Sequence, residues 1–294
     1  MNNLTKVAFL FVIVIWSTTP LAIKFSSEGL HPMMGVGARM FIATLCAYFL
    51  VKLTRQKIPL TIKALKNYLS GGLGLFCGLT AVYFSVAYVP TGLISVLYGL
   101  SPIISGVLAY YLIDDPPFTF MQWLALALSV LGLAFVFLGE IQFDLNLFYG
   151  VGLVLLSVLC FSLSSVLVKR HQVDSHPLVQ TSGTLIVCLP LFLISSASAS
   201  ELPVYSSISE VTKLAILYLA LIGSIVGLLS YYYVLRETSP STVALSTVIT
   251  PVIALFLGAG FNNELFSPWA YFGVFLILFG LIVFNWGDRF LMNK

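Results

Sequence analysis

The chain has 294 residues, 59% of them hydrophobic and only 9% charged, with a formal net charge of +3 and a mean hydropathy of +1.03. Soluble domains carry about a quarter charged residues, so the composition excludes an ordinary water-soluble protein and leaves an integral membrane protein. A hydrocarbon core about 30 Å thick takes roughly 20 apolar residues per helix, with backbone polar groups satisfied inside the helix. The chain has room for about ten such spans and little else.

Ten apolar runs follow one another at 5–24, 32–52, 68–88, 92–112, 120–139, 148–168, 177–196, 213–235, 241–260 and 268–287. The first is too long for a signal-peptide core and ends in Lys24 without a small-residue cleavage site, so it is expected to stay attached. The break YVPTG (88–92) makes the third and fourth runs a tight helical hairpin, and the longest polar stretches are 52–67 and 196–213. Cys46, Cys77, Cys160 and Cys188 all fall inside apolar runs without metal-ligand spacing and are read as packing residues. With the amino terminus inside, the inner segments hold Lys6, Lys52, Arg55, Lys57, Lys63, Lys66, Lys169, Arg170, Arg236, Arg289 and Lys294, and the outer ones only Lys24 and Lys213. That bias places both termini in the cytoplasm.

The chain also repeats itself. At an offset of 145, WSTTPLAIK (16–24) falls on FSLSSVLVK (161–169) and His31-Pro32 on His176-Pro177. At an offset of 149, Gly74, Gly78, Tyr83, Pro102 and Asp115 fall on Gly223, Gly227, Tyr232, Pro251 and Glu264. Ordered matches of this kind indicate duplication. Five helices per half is an odd number, so the second half lies upside down relative to the first. The expected fold is therefore an all-α integral membrane protein whose ten transmembrane helices form two inverted five-helix repeats, 1–140 and 146–294, around a central cavity. Many secondary transporters are built this way.

Polar groups within the runs point to what lines that cavity. Trp16, Thr19 or Pro20, and Lys24 share one helical face, and Pro20 leaves the carbonyl of Trp16 without its helical donor. Freed backbone at membrane depth is tolerated where it is buried in protein or lines a cavity. The repeat mate again sets an aromatic, Phe161, before Ser164 and Ser165. Lys24, at the end of its run, is expected to snorkel to the outer headgroups. Arg39 lies about seven residues into the second run, roughly 10 Å into the hydrocarbon, where a cation costs at least about 2.5 kcal/mol and no acid stands at comparable depth. Backbone carbonyls or hydroxyls satisfy it, or a carboxylate or phosphate on a solute does. Tyr83 and Tyr232 are expected on the cavity wall, together with hydroxyl-bearing faces that carry Ser95, Tyr98 and Ser101 on one helix and Thr242, Ser246, Thr247 and Thr250 on its counterpart. The glycines at four-residue spacing, Gly74/Gly78 and Gly223/Gly227, suit close helix packing. Asp115 and Glu264 close the fourth and ninth runs, where a carboxylate opposes the helix dipole; a gate or a loop salt bridge accounts for them.

Taken together, the ten spans, W-S-x-x-P-x-x-x-K in the first helix, Arg39-Met40-Phe41 in the second, the small apolar fourth and ninth helices leading to Pro102 and Pro251, and the acids Asp115 and Glu264 resemble the EamA-type transporters of the drug/metabolite transporter superfamily. The resemblance covers the whole chain. It implies a central cavity between two inverted repeats and substrates such as amino acids and related metabolites, exported across a bacterial inner membrane. The chain departs from the family pattern in having Phe161 where the first repeat has Trp16, and Asp115 in place of glutamate.

The expected protein is thus a solute carrier working by alternating access, with Trp16, Thr19, Arg39, Tyr83, Tyr98, Phe161, Ser165, Tyr232 and Thr247 as substrate-binding residues. Its partners are a small-molecule solute and the bilayer, with no nucleic acid and no cofactor. The absence of acids well inside the spans favours uniport or exchange over proton coupling. A sugar or nucleotide-sugar carrier is the alternative, and a channel a more distant one. Catalysis is not expected, because His31, His171 and His176 lie at span ends and converge with no acid or cysteine.

Overall fold

The computed structural model describes residues 3–114, 116–139, 145–199, 208–238, 243, 246–262 and 267–292, with the backbone alone at 133, 136–139, 247–249, 270, 285, 286 and 288–292. Among the described residues the regular structure is entirely helical: α1 (Asn3–Ser26), α2 (Pro32–Leu53), α3 (Ile62–Ser85), α4 (Thr91–Tyr98), α5 (Ser101–Ile113), α6 (Phe120–Gly139), α7 (Leu145–Arg170), α8 (Pro177–Ala197), α9 (Glu210–Tyr218), a π-helical segment (Leu219–Val226), α10 (Gly227–Glu237), α11 (Ser246–Asn262) and α12 (Pro268–Met292). Among the described residues, seven helical stretches are long and apolar enough to cross a membrane, counting Thr91–Ile113 and Glu210–Glu237 as single stretches. Shorter apolar stretches lie at Phe120–Gly132, Thr250–Asn262 and Tyr271–Phe284.

Local chemistry explains where these helices start. His31 and His176 are N-caps whose Nδ1 accepts from the backbone N–H of Met33 and Leu178 at 3.3 and 3.2 Å, each followed by proline at the first helical position. That is the place where proline's missing N–H costs nothing. The duplicated His-Pro pair is one helix-start device used twice. Thr61 caps α3 by accepting from Ala64 N, so this helix begins at Ile62, six residues before its apolar run. The polar stretch after residue 52 is correspondingly shorter than its composition suggests.

Two expected single helices are interrupted. The fourth span breaks at Gly99 and Leu100, whose N–H groups reach back to Val96 and Leu97 in tight three-residue turns. Pro102 has no N–H for the Tyr98 carbonyl, so the regular ladder cannot pass this point. The eighth span carries a full π-helical turn, in which the Ser224 hydroxyl donates to the Leu219 carbonyl five residues back. Interruptions of this kind inside long helices are frequent at functional sites.

Large apolar side chains such as Phe11, Phe49, Phe256 and Phe275 are exposed and face where lipid lies, while small and polar residues face inward. In lipid the association of helices rests on close packing rather than on hydrophobic exclusion. A Cβ at Gly78 would meet the Phe161 ring at 2.6 Å, and one at Gly132 the Gly273 carbonyl at 2.6 Å, so these glycines set the approach of α3 to α7 and of α6 to α12. The second glycine pair differs from expectation. Cβ atoms at Gly223 and Gly227 would be no closer than 3.4 Å to any neighbour, an ordinary contact.

Candidate solute-binding cavity

A cavity of about 180 Å³ lies where α1, α2, α3, α4, α7 and α10 converge. From α1 it receives Trp16, Thr19 and Pro20, and from α2 Arg39. From the α4–α5 break come Ser95, Tyr98, Ser101 and Ser105, and from α7 Phe161, Ser162, Ser164 and Ser165. The π segment and α10 add Gly223, Tyr231 and Tyr232, and α11 adds Thr250. Seven of the nine expected binding residues, Trp16, Thr19, Arg39, Tyr98, Phe161, Ser165 and Tyr232, are thus on one wall.

Tyr83 is the correction. It is fully buried beside Ser26 and Gly35, outside the cavity, with Ser26 Oγ donating to its hydroxyl at 3.4 Å. Symmetry of sequence suggested that it would stand where Tyr232 stands, but α1 and α2 close over it. The backbone of Thr247 is helical and its side chain lies outside the described residues, as do Asp115, Thr242 and Glu264. Lys24 does not snorkel into open headgroup space: it is partly buried and donates to the Val86 carbonyl at 3.2 Å, at the C-terminal end of α3.

Arg39 is 4% exposed. Its Nε donates to Ser224 Oγ at 2.9 Å, and that hydroxyl is itself fixed by donating to the Leu219 carbonyl at 3.0 Å through the π turn. Gly223 lies beside the guanidinium, where a Cβ would make an ordinary 3.4 Å contact with Nη2. Nη1 is buried without a hydrogen-bond partner. None of the described residues on the cavity wall is acidic. The guanidinium is therefore held by one edge while another donor stays unsatisfied. A buried unsatisfied donor costs about 1–3 kcal/mol, more when charged.

The hydroxyls divide into committed and free ones. Tyr98 shares a 2.6 Å hydrogen bond with Ser157, which donates to the Gly78 carbonyl, and Ser165 donates to the Ser162 carbonyl at 2.8 Å. Ser95 and Ser162 are buried on the wall with hydroxyl oxygens that have no partner. The aromatic lining falls into two groups: Trp16 and Tyr231 have ring centroids 5.6 Å apart and Tyr231 and Tyr232 5.0 Å, while Tyr98 and Phe161 stand 6.2 Å from each other. The cavity is thus lined by one cationic residue, several hydroxyl-bearing residues and a wide apolar wall. Its wall suits a small amphipathic anion or zwitterion. Among the described residues no group of His, Cys, Asp and Glu is placed to hold a metal ion.

Sequence reasoning missed Ser224, Ser162 and Tyr231. Ser224, between Gly223 and Ile225 in an apolar run, gave no sign that a π turn would aim it at Arg39.

The model of the EamA-like transporter family matches this sequence twice, over residues 4–138 and 148–286. Among curated proteins it is 25% identical over 278 residues to the uncharacterized inner membrane transporter YedA of Escherichia coli (strain K12), covering 93% of this chain and 88% of that one. It is 24% identical over 302 residues to a probable amino-acid metabolite efflux pump of the same organism, covering 98% and 97%. It is 23% identical to the uncharacterized transporter YoaV of Bacillus subtilis (strain 168), covering 84% and 85%. A solved crystal structure superposes with a TM-score of 0.69 over 97% of this chain and 98% of its own at 16% identity, a likeness of fold.

Proposed function

The chain belongs to the EamA-like transporter family, and from that premise we propose that it carries a small carboxylate-bearing metabolite, an amino acid or close relative, across the inner membrane by alternating access. The observation that carries this reading is Arg39: a buried guanidinium on a cavity wall, oriented by Ser224, with Nη1 unpartnered and no acid among the described wall residues. A relative named as a probable amino-acid metabolite efflux pump supports the same class of solute.

The architecture proposed is two inverted five-helix repeats, 1–140 and 146–294. In its support, the helix contacts keep their pattern when the halves are exchanged: α3 packs on α7 as α10 does on α1, α5 packs on α7 as α11 does on α1, and α3 packs on α8 as α9 and the π segment do on α2. Cytoplasmic termini are supported by the gathering of cation-bearing helix ends. Asn67 binds the carbonyls of Val168 and His171, and Arg236 Nη1 that of Ser175, which brings the cation-rich ends of α3, α7 and α10 to one face.

Volume bears on the alternative. An engineered cavity of about 150 Å³ takes benzene, so about 180 Å³ suits a solute of about seven non-hydrogen atoms. A nucleotide sugar is several times larger. The test is flux into proteoliposomes with labelled amino acids, sugars and nucleotide sugars, with and without unlabelled solute on the far side. The expected result is saturable flux of a carboxylate-bearing solute, accelerated by solute on the far side as a carrier requires. Flux confined to sugars, or non-saturable flux indifferent to solute on the far side, contradicts the reading.

A further inference from the structure

One contact is made twice. Lys24 and Lys169 are repeat mates, and so are Val86 and Leu235, at the offsets of 145 and 149 read from the sequence. Lys24 Nζ donates to the Val86 carbonyl at 3.2 Å, and Lys169 Nζ to those of Leu235 and Thr238 at 3.0 and 2.8 Å. Three residues before each accepting carbonyl stands a tyrosine, Tyr83 or Tyr232. Equivalent in sequence, the two tyrosines have unlike surroundings.

At the Lys24 end the packing is closed. Tyr83 is fully buried, and a Cβ on Gly35 would lie 2.7 Å from the backbone carbonyl of Ser26 and 3.6 Å from the Tyr83 ring. Backbone against backbone yields little. At the Lys169 end Tyr232 and Leu235 belong to two walls at once, that of the central cavity and that of a smaller pocket of about 30 Å³ reached between Asn67, Lys169, Gln180 and Arg236. Tyr232 is therefore a partition. Its hydroxyl is held in a 3.2 Å hydrogen bond with Thr184 Oγ1. A Cβ on Gly71 would lie 2.6 Å from Thr184 Oγ1 and 2.7 Å from the Tyr232 hydroxyl, so the partition rests over a glycine through two rotatable side-chain tips. On the outer wall of the partition, Asn67 carries a buried Oδ1 with no partner, an acceptor for the tyrosine hydroxyl once it swings out.

We propose that Tyr232 is the gate through which the central cavity exchanges solute with the membrane face that carries Lys169 and Arg236, the Tyr83 end being sealed in this conformer. The inference rests on the alternating-access reading and adds to it a residue and a side. The smaller pocket has room for a water or two, so solute passes only when the ring moves. Lys169 and Arg236 rim the opening; Arg236 pairs with Glu237 at 3.0 Å, and Lys169 donates to the carbonyls of Leu235 and Thr238. Cations at an opening raise the local concentration of an anionic solute. With the cation-rich face in the cytoplasm, the carrier loads from inside, as export requires.

The test reads access, not flux. Leu75, an apolar residue of the cavity wall, is replaced by cysteine, and a membrane-impermeant maleimide is added to one face or the other of sealed vesicles. Cys77, a free cysteine two residues away, is replaced by serine in the same background, and fragment-ion mass spectrometry that places the label on residue 75 gives the rate. Labelling is expected from the Lys169 face, and both Gly71→Ala, which displaces the tips, and Tyr232→Phe, which removes their hydrogen bond, are expected to accelerate it about fivefold, the equivalent of about 1 kcal/mol. Tyr232→Phe adds no volume and keeps the test decisive where Gly71→Ala disturbs folding. Faster labelling from the Lys24 face, or rates from the Lys169 face unmoved by both variants, overturns the gate. Because labelling needs no solute, a failure of the gate stays distinguishable from a failure of the carboxylate reading.

Discussion

At the scale of single residues, the site is a buried charge held by a hydroxyl. Arg39 was legible in the sequence because a cation seven residues into an apolar run must be satisfied by carbonyls, hydroxyls or a solute anion, and no acid stands at its depth. Trp16, Thr19 and Phe161 were legible because polar and aromatic residues recurred at matching places in two halves. Ser224 was not, since a serine in a transmembrane helix ordinarily bonds to its own helix, and only the π turn directs this one outward to Arg39. Tyr83 misled for a related reason: repeat symmetry fixes a position along a helix but not the neighbours it meets in one conformer. The orienting role predicts that Ser224→Ala raises the KM for the carboxylate-bearing solute about tenfold, since a hydrogen bond to a charged group is worth about 1.5–3 kcal/mol, while the maximal rate is retained. Saturation curves in proteoliposomes check this. An unchanged KM means that Ser224 only fills space.

At the scale of elements, helix ends and helix breaks matter more than helix interiors. The C-terminal carbonyls of a helix lack internal partners, and a cation near them is favoured twice, by hydrogen bonding and by the dipole. Lys24 does this for α3 and Lys169 for α10. Composition placed both lysines at span ends, but the carbonyl that each reaches belongs to another helix, and nothing in a linear sequence states that pairing. Likewise the fourth apolar run read as one helix, although Pro102 has no N–H to carry the ladder through it, and the π turn followed from no proline at all. Because Lys169 makes two such bonds and Lys24 one, Lys169→Met is expected to lower the melting temperature in detergent more than Lys24→Met. Equal losses in a thermal melt followed by intrinsic fluorescence contradict that ordering.

At the scale of the whole molecule, the ten apolar runs, the duplication and the positive bias were all readable, because the bilayer imposes length and composition directly on the chain. The cavity's shape was not readable, because it depends on which helices part and by how much. With no acid among the described wall residues, flux is expected to change less than twofold when a pH gradient is imposed across the vesicles; several-fold stimulation by a gradient contradicts that expectation and places a proton carrier elsewhere in the chain. The central claim is that Arg39 reads a carboxylate, and one comparison tests it most directly. The inhibition of flux by a transported amino acid is measured against that by its amine lacking the carboxyl group, in the wild type and in Arg39→Gln. The account predicts that the wild type prefers the acid by about 10- to 100-fold, the equivalent of about 1.4–2.8 kcal/mol, and that the preference collapses in the variant while the amine binds both proteins alike. A preference that survives Arg39→Gln undiminished would make Arg39 structural and would contradict the account.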